Sequence, residues 1–241
     1  MTDYIDLHCH YLPNIDDGVR SVGDGLALCV ALKKIGFGTV MATPHMRTAM
    51  FDNDKMGLTA CYEAFAQEAS QHSKLPALGL GSEHYFDDVF WERFGKGETL
   101  PYPGGKAVLV EVSQDGFPMR LNEFFFQMNV RGVRPVLAHP ERYAPLWKNT
   151  DALEPMTQVG ALPLLDVMSL VGKYGRRAKD AAERMLGEGV YAAACSDAHH
   201  PSHVEMVAAG IERLKILVGP ERTERLLGEH PRLILEGTFD P

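Results

Sequence analysis

The chain has 241 residues, 45% of them hydrophobic, and a formal net charge of −8. This size suits one globular domain, 1–241, with a full core, and the sequence shows no linker, repeat or low-complexity tract. The negative charge argues against a surface for duplex nucleic acid.

The cysteines and the apolar segments indicate a cytoplasmic protein. The sequence has no C-x-x-C pair and no cysteine spacing typical of a disulfide framework. The cysteines are Cys9, Cys29, Cys61 and Cys195. The first residues lack the basic and apolar segments of a signal peptide, and the longest apolar stretch, ALPLLDVMSLVG, is too short to span a bilayer. We therefore expect a reducing, cytoplasmic location without membrane insertion.

Short β-rich runs alternate along the chain with segments that have helical features. The runs are 4–8, 38–45, 76–83, 107–113, 134–141, 161–167 and 190–199. The helical segments are 21–35, 54–72, the stretch from Pro118 to Gly132, RRAKDAAERMLGEG and HVEMVAAGIERLKILVG. Alternating βα units predict an α/β fold with a parallel sheet and helices outside it. Seven such units favour a closed or nearly closed barrel.

Every predicted strand ends in a residue type that can bind a metal ion. The strand-end residues are His8 and His10, His45, Glu83, Glu111, His139, Asp166, and Asp197 with His199. In parallel α/β barrels the active site lies at the carboxyl ends of the strands. Because residues two apart on a strand share a face, His8 and His10 can reach one ion while Cys9 points away. The same argument joins Asp197 to His199, and the pattern predicts a site for more than one metal ion.

Other acidic residues and histidines have simpler interpretations. We expect four histidines at the surface, namely His72, His84, His203 and His230. His200 adjoins the predicted site, so the sequence assigns it neither to the surface nor to the metal ligands. Asp166 is expected to support a ligand or to cap a helix, and Asp16 and Asp17 in NIDDG fit either a metal site or an Asx turn.

The ligand types limit both the metal and the chemistry. Imidazole and carboxylate without thiolate suit Mn²⁺, Fe²⁺ or Zn²⁺. Clustered divalent ions activate water and stabilise both ends of an in-line phosphoryl displacement. The sequence therefore points to a hydrolase of phosphate esters, with amide hydrolysis on a similar barrel still open.

The ordered motifs resemble a known superfamily. DLHCH, DDG, ATPH, GSE, VLVE, LAHPERY and CSDAHH together resemble the PHP (polymerase and histidinol phosphatase) superfamily. The set is most similar to its bacterial manganese-dependent protein tyrosine phosphatases of capsular and exopolysaccharide operons, and it spans nearly the whole chain. The resemblance implies a distorted seven-stranded (β/α)7 barrel of TIM-like type. It also implies two to three divalent metal ions, Mn²⁺ first, with Fe²⁺ or Zn²⁺ as alternatives.

The resemblance also assigns residue roles. The implied metal ligands are His8, His10, Asp17, His45, Glu83, Glu111, His139, Asp197 and His199. Glu111 would bridge two ions. Arg142, Asp197 and His199 would be catalytic, with Arg142 on the substrate phosphate and Arg47 on the peptide. The implied partner is a phosphotyrosine protein, an autophosphorylated bacterial tyrosine kinase whose tail carries clustered tyrosines.

Two segments depart from the family pattern. The family commonly has an arginine several residues after SD-x-H, whereas the next arginine after His199 is Arg213, inside a predicted helix. The segment LLDVMSL also differs from the asparagine- or glycine-containing version that the family leads us to expect. Both departures concern the substrate more than the metal site.

The predicted function is hydrolysis of phosphotyrosine by a metal-activated hydroxide, in the regulation of capsular or exopolysaccharide synthesis. A thiol phosphatase is disfavoured because no cysteine has an arginine six residues after it. One alternative is a small-molecule phosphatase of the histidinol-phosphate type. Another is a non-catalytic module that uses metal ions for stability.

Overall fold

The structure, a computed structural model, describes residues 3–240. Its strands are β1 (Tyr4–Cys9), β2 (Phe37–Ala42), β3 (His45–Met46), β4 (Ala77–Leu80), β5 (Glu83–Tyr85), β6 (Ala107–Glu111), β7 (Arg134–Ala138), β8 (Leu162–Asp166) and β9 (Ala193–Cys195). Its α-helices are α1 (Val22–Lys34), α2 (Lys55–Ala69), α3 (Asp88–Lys96), α4 (Leu121–Val130), α5 (Glu154–Gln158), α6 (Arg176–Glu188), α7 (Val204–Glu224) and α8 (His230–Glu236). Short 3₁₀ segments cover Pro140–Arg142, Ala144–Leu146, Val167–Val171 and Pro201–His203, and a π-helical turn covers Arg225–Glu229. The predicted α/β class is confirmed.

The strands form two parallel sheets. One has the order β1-β2-β4 and the other the order β3-β5-β6-β7-β8-β9. Every pairing between neighbouring strands is parallel. Beyond β9, Ala198 bridges to Cys9 in parallel, and the backbone N–H of His10 donates to Ala198 O at 2.9 Å. The chain after β9 therefore lies beside the end of β1.

Two of the predicted strands, 38–45 and 76–83, are interrupted near their carboxyl ends. The first breaks around Pro44, which has no N–H for a ladder hydrogen bond. The Ser82 hydroxyl donates to Pro44 O at 2.7 Å, and Glu83 N donates to the same carbonyl at 3.1 Å. These bonds hold the two interrupted strands side by side, and the short strands β3 and β5 then pair within the second sheet.

Alternation along the strands separates two apolar layers. In β6, Val108 and Val110 pack toward the helices, whereas Leu109 joins a smaller cluster on the opposite face. Residues from most other strands contribute to this smaller cluster. Glu111 is two residues beyond Leu109 and so continues the same face. Strand-end residues of this face therefore meet above the smaller cluster.

The end of β1 departs from regular alternation. Asp6 pairs with Val40 and Cys9 pairs with Ala42, so β1 advances three residues where β2 advances two. This extra residue in β1 is a β-bulge. Leu7 packs in the smaller cluster, while Cys9 packs in the helix-facing layer. Cys9 therefore faces away from the strand-end histidines, as expected.

Side-chain caps begin both a predicted helix, α1, and an unpredicted helix, α3. Ser21, the first residue of the predicted helical segment 21–35, caps α1, with its Oγ accepting from Asp24 N at 3.1 Å. Helix α3 was not predicted, although Asp87 accepts from Phe90 N at 2.7 Å and Gly97 ends the helix with φ 73°. Helices α5 and α8 were also not predicted. None of the helices in the described part of the chain combines the length and apolar character needed to cross a bilayer.

Candidate metal centre

The carboxyl ends of the strands bring all the predicted ligands together. They are His8 and His10 near the end of β1, Asp17 in the following loop, His45 on β3, Glu83 on β5, Glu111 on β6, His139 after β7, and Asp197 and His199 after β9. In four groups of these side chains, the ligand atoms lie within 4.8 Å of one another. The groups are His10–Asp17–His45–His199, His8–His10–Asp197, His8–Glu83–His139 and His45–Glu83–Glu111. Each predicted ligand belongs to at least one group.

The deepest part of this cluster has polar atoms that need a cation. His8 Nε2 lies 3.1 Å from His10 Nε2, and Asp197 Oδ1 lies 3.3 and 3.5 Å from these two atoms. Among the described residues, Asp197 Oδ1 has no hydrogen-bond partner although it is buried. Lone pairs that converge away from solvent repel one another unless a proton or a metal cation lies between them. The donors are nitrogen and oxygen, so the residues fit Mn²⁺, Fe²⁺ or Zn²⁺.

Glu83 lies at the centre of the cluster. Its Oε2 is 3.1 Å from His8 Nε2 and 3.0 Å from His45 Nδ1, and its Oε1 is 3.0 Å from His139 Nε2. Burial raises the pKa of Glu83, but His8 and His45 outweigh that effect and hold the pKa well below its usual range. Glu83 is therefore an ionised carboxylate shared by three histidines.

Glu111, the predicted bridging ligand, lies near Glu83 on the neighbouring strand. Glu83 is the register partner of Leu109, whereas Glu111 stands opposite Tyr85, two residues farther along the strand. Burial and the neighbouring Glu83 charge raise the pKa of Glu111 to about 7. The strand break places Glu83 at the start of β5, next to the histidines, and Glu111 shares one ligand group with Glu83 and His45.

The two aspartates of NIDDG have separate positions. Asp16 Oδ2 accepts from His10 Nδ1 at 2.8 Å, and its Oδ1 accepts from Gly18 N at 2.9 Å. Asp16 thus forms an Asx turn and also orients a candidate ligand, as carboxylates commonly do at metal sites. Asp17 Oδ1 lies 3.5 Å from His45 Nε2 and 3.4 Å from His199 Nε2. The turn therefore presents Asp17 to the open side of the cluster.

Two candidate ligands have left-handed backbone conformations. His139 has φ 33° and Asp197 has φ 45°. Non-glycine residues rarely adopt this region, which costs about 1–3 kcal/mol per residue. Val136 and Ala138 both face the inner side of β7, so regular alternation would direct the next residue, His139, outward. The left-handed turn directs His139 inward as well, to the contact with Glu83.

Arg142 is anchored by carboxylates beside the cluster. Its Nη2 donates to both Asp166 and Asp197, and its guanidinium carbon lies 3.6 Å from the centroid of the Tyr174 ring. Its Nε is buried without a hydrogen-bond partner, and the side chain is 12% exposed. Asp166 Oδ1 also accepts from Met168 N at 2.8 Å. Asp166 therefore caps a 3₁₀ segment, in line with the capping alternative, and it also anchors Arg142, which is not a metal ligand.

A cavity of about 240 Å³ opens above the cluster. Its lining residues are Asp17, His45, Arg47, Met50, Phe51, Glu83, Glu111, Gln114, His139, Arg142, Asp197 and His199. Both predicted substrate-binding arginines therefore reach it. The Arg47 guanidinium carbon lies 4.0 Å from the centroid of the Tyr85 ring, which holds Arg47 at one side of the cavity.

A lysine lies near the segment where the family arginine is missing. Lys173 Nζ is 3.1 Å from His203 Nδ1, and that nitrogen also accepts from His199 N at 3.2 Å. His203 was predicted at the surface, but it is half-buried and supports the backbone of a candidate ligand. His200 is exposed, and its Nδ1 accepts from Ser202 N at 3.2 Å.

The thiols lie outside the cavity lining. Cys9 Sγ donates to Ala198 O at 3.4 Å, and Cys195 Sγ donates to Leu165 O at 3.3 Å. Burial raises the pKa of both thiols well above the usual range. Neither is placed to act as a nucleophile on a ligand in the cavity.

Some buried polar residues were assigned wrongly or missed. His84 was predicted at the surface, but it is 1% exposed and its Nε2 accepts from Leu100 N at 3.1 Å. Glu141, the acidic residue of HPERY, was given no role. It is buried and accepts from Asp166 N at 3.0 Å and Ser169 Oγ at 2.8 Å. It therefore ties the segment that carries Arg142 to the end of β8.

Comparison with known proteins identifies related sequences. The family model for capsular polysaccharide synthesis, CpsB/CapC, matches residues 4–236. Tyrosine-protein phosphatase YwqE of Bacillus subtilis is 26% identical over 196 residues, which cover 81% of this chain and 77% of YwqE. Tyrosine-protein phosphatase CpsB of Streptococcus pneumoniae is 22% identical over 237 residues, which cover 96% of this chain and 98% of CpsB.

Solved structures support the same relationship. A crystal structure from work on YwqE of Bacillus subtilis and CpsB of Streptococcus pneumoniae, described as unique metal-dependent tyrosine phosphatases, matches with TM-score 0.88 and 25% identity. The match covers 98% of this chain and 95% of that one. The phosphotriesterase homology protein of Escherichia coli shares the fold, with TM-score 0.61, 14% identity, and coverage of 95% and 97%. The resemblance to the capsular tyrosine phosphatases is confirmed, and the chain belongs to the CpsB/CapC family of capsular polysaccharide synthesis.

Proposed function

We propose that this protein is a metal-dependent protein tyrosine phosphatase that acts in the regulation of capsular or exopolysaccharide synthesis. The observation that carries the proposal is the convergence of nine histidine, aspartate and glutamate side chains in one cluster, seven of which line the cavity above it. Several of their buried ligand atoms have no hydrogen-bond partner. The names of the relatives YwqE and CpsB, both tyrosine-protein phosphatases, support the same activity.

The cluster would hold two to three divalent ions, Mn²⁺ first, with Fe²⁺ or Zn²⁺ as alternatives. Glu83 belongs to two of the four ligand groups and would bridge them. His10, which belongs to two other groups, would link the buried ligands to Asp17. When bound, such ions lower the pKa of water to about 7 and neutralise charge on phosphoryl oxygens.

Arg142 would bind the substrate phosphate. Asp166 and Asp197 hold one of its terminal nitrogens, so the guanidinium is already oriented before substrate arrives. The Arg142 side chain lines the cavity, and within residues 3–240 its buried Nε–H has no hydrogen-bond partner. Charge-assisted contacts from arginine to phosphate are among the stronger hydrogen bonds in proteins.

Asp197 and His199 would complete the catalytic set. Asp197 uses Oδ2 for Arg142 and Oδ1 toward His8 and His10, so it fixes the phosphate-binding group relative to the metal ligands. His199 Nδ1 lies 2.9 Å from the carbonyl oxygen of Asp197, which orients the imidazole. A phenol leaving group has a pKa of about 10, so a tyrosyl ester needs less help to leave than a seryl ester.

The substrate would be a phosphotyrosine protein, and the proposed partner is the tyrosine-rich tail of an autophosphorylated bacterial kinase. Arg47, at one side of the cavity, would contact the peptide. We further propose that the two sheets act as one distorted seven-stranded, TIM-like barrel of the PHP type. The chain would form one domain, and the cytoplasmic location remains part of the proposal.

The test is metal-dependent turnover by the purified full chain. Elemental analysis should find more than one divalent ion per chain. Exhaustive chelation should abolish hydrolysis of a phosphotyrosine peptide, and Mn²⁺ should restore it. Full activity after chelation would contradict the metal assignment.

Parallel substrates separate the alternatives. A phosphotyrosine peptide should be hydrolysed with a higher kcat/KM than histidinol phosphate or a matched phosphoserine peptide. Preference for histidinol phosphate would favour the small-molecule phosphatase. Absence of turnover of p-nitrophenyl phosphate by metal-loaded protein would favour a non-catalytic module.

A further inference from the structure

The cavity above the metal cluster has one apolar side. Among its lining residues, Met50 and Phe51 are the only apolar side chains, and the others are charged or polar. Both come from the loop between β3 and α2. Met50 is 58% exposed, and Phe51 is partly exposed. An apolar surface beside an otherwise charged pocket is suited to the part of a ligand that carries no charge.

The loop that carries these residues has a defined conformation. Phe51 N donates to Arg47 O at 2.8 Å, and Arg47 N donates to Phe51 O at 3.1 Å. The Asn53 amide donates to Ile15 O at 2.9 Å and to His45 O at 2.7 Å. These bonds tie both ends of the loop to the site, so the apolar side is built before a ligand arrives.

The orientation of the Phe51 ring is also fixed. It is nearly parallel to the His45 imidazole, with an interplanar angle of 6° and a centroid separation of 5.1 Å. One face of Phe51 therefore rests on a candidate metal ligand. Arg47, in the same loop, is held by the Tyr85 ring, so a cation and an aromatic side chain stand on one side of the cavity.

We propose that Phe51, with Met50, forms the wall that receives the aromatic ring of the phosphate ester. The inference rests on the proposed phosphatase function and deepens it, because it assigns the choice of aryl over alkyl phosphates to two residues. A phosphate held by Arg142 and the metal cluster has its ester group directed out of the charged pocket. A phenyl ring gains contact with Phe51 and Met50, whereas the short alkyl group of phosphoserine reaches little of this surface.

Binding of two phosphonates tests the wall without a chemical step. Dissociation constants of phenylphosphonate and methylphosphonate are measured by calorimetric titration of Mn²⁺-loaded protein, with metal content determined for each variant. The parent should bind phenylphosphonate more tightly. Phe51→Ala should lower this preference about three- to tenfold, the size of an aromatic contact, and leave methylphosphonate binding unchanged. Phe51→Tyr should keep the preference because it keeps the ring.

Matched variants distinguish an aromatic contact at Phe51 from a general effect of removing an apolar side chain. Met119→Ala removes a fully exposed methionine outside the cavity lining and should change neither constant. Met50→Ala should lower the preference less than Phe51→Ala. An unchanged preference in Phe51→Ala would overturn the proposal. Equal loss for both phosphonates together with lost metal would also overturn it, because Phe51 would then only support His45.

The experiments distinguish an error in the proposed function from an error in the proposed role of Phe51 and Met50. Absence of phosphotyrosine-peptide hydrolysis by the parent would contradict the phosphatase assignment, and with it the wall as a substrate determinant. An active parent whose aryl preference survives Phe51→Ala would leave the phosphatase assignment standing and remove only the wall.

Discussion

The candidate metal centre has an inner half whose side chains are buried and an outer half whose side chains are partly exposed at the cavity. The inner half comprises His8, His10, Glu83, His139 and Asp197, all of them buried. The outer half comprises Asp17, His45 and His199, and Asp17 is 55% exposed. His10 belongs to a ligand group in each half, and a further group joins Glu83 of the inner half to His45 of the outer half together with Glu111.

The two halves are also held in place differently. The inner half is positioned by strands and by left-handed backbone at His139 and Asp197. The outer half depends on a loop aspartate, Asp17, whose neighbour Asp16 forms the supporting turn. Rigid elements hold ligands more accurately than loops. We therefore expect the inner half to bind metal tightly and the outer half to exchange it more readily.

The largest effect is expected from Glu83→Gln, which breaks the inner half. The amide keeps the size of the side chain but removes the negative charge shared by three histidines. Loss of a residue that hydrogen-bonds to a metal ligand typically costs about 10- to 100-fold in metal affinity or activity. Loss of the Glu83 carboxylate, which contacts three histidines directly, should cost more. Elemental analysis and kcat/KM on p-nitrophenyl phosphate provide the measurement.

Glu111→Gln is the matched control because it makes the same change two residues nearer the mouth of the site. It should retain more metal and more activity than Glu83→Gln. The reverse order would return the bridging role to Glu111.

Arg142→Ala should have the next largest effect. A charge-assisted contact to phosphate contributes about 1.5–3 kcal/mol, so its loss should lower kcat/KM about 10- to 150-fold. Metal content should persist because Arg142 is not a ligand. Arg142→Lys should recover only part of the activity, since a point charge does not reproduce the planar guanidinium. Steady-state kinetics within threefold of the parent would assign the phosphate to another group.

Most of the ligand set could be predicted because it depends on local rules. Strand ends, the two-residue repeat of His8 and His10, and the ordered motifs are all visible in the sequence. These rules require only that the strands be parallel, which alternating βα units already indicate.

The position of Glu83 among three histidines depends on features that no local pattern reveals. It follows from the strand break near Pro44 and from the register that pairs His45 with Glu83. The anchoring of Arg142 by Asp166 likewise joins residues 24 positions apart through the left-handed turn at His139. Such long-range contacts require the tertiary structure, whereas the missed helix α3 carried its capping residues in the sequence.

The smallest effect is expected from Asp17→Asn, which alters only the outer half. Its carboxylate faces His45 and His199, and those contacts hold the pKa of Asp17 below its usual range. Neutralising Asp17 should weaken one metal position and leave the inner ligands in place. At low Mn²⁺ the variant should lose about tenfold in activity, and excess Mn²⁺ should restore most of it by mass action. Asp115→Asn, at an exposed position outside the cavity lining, is the matched control and should behave like the parent. An Asp17→Asn protein that loses every metal ion, or that excess Mn²⁺ does not restore, would show that the outer half is required to assemble the inner one.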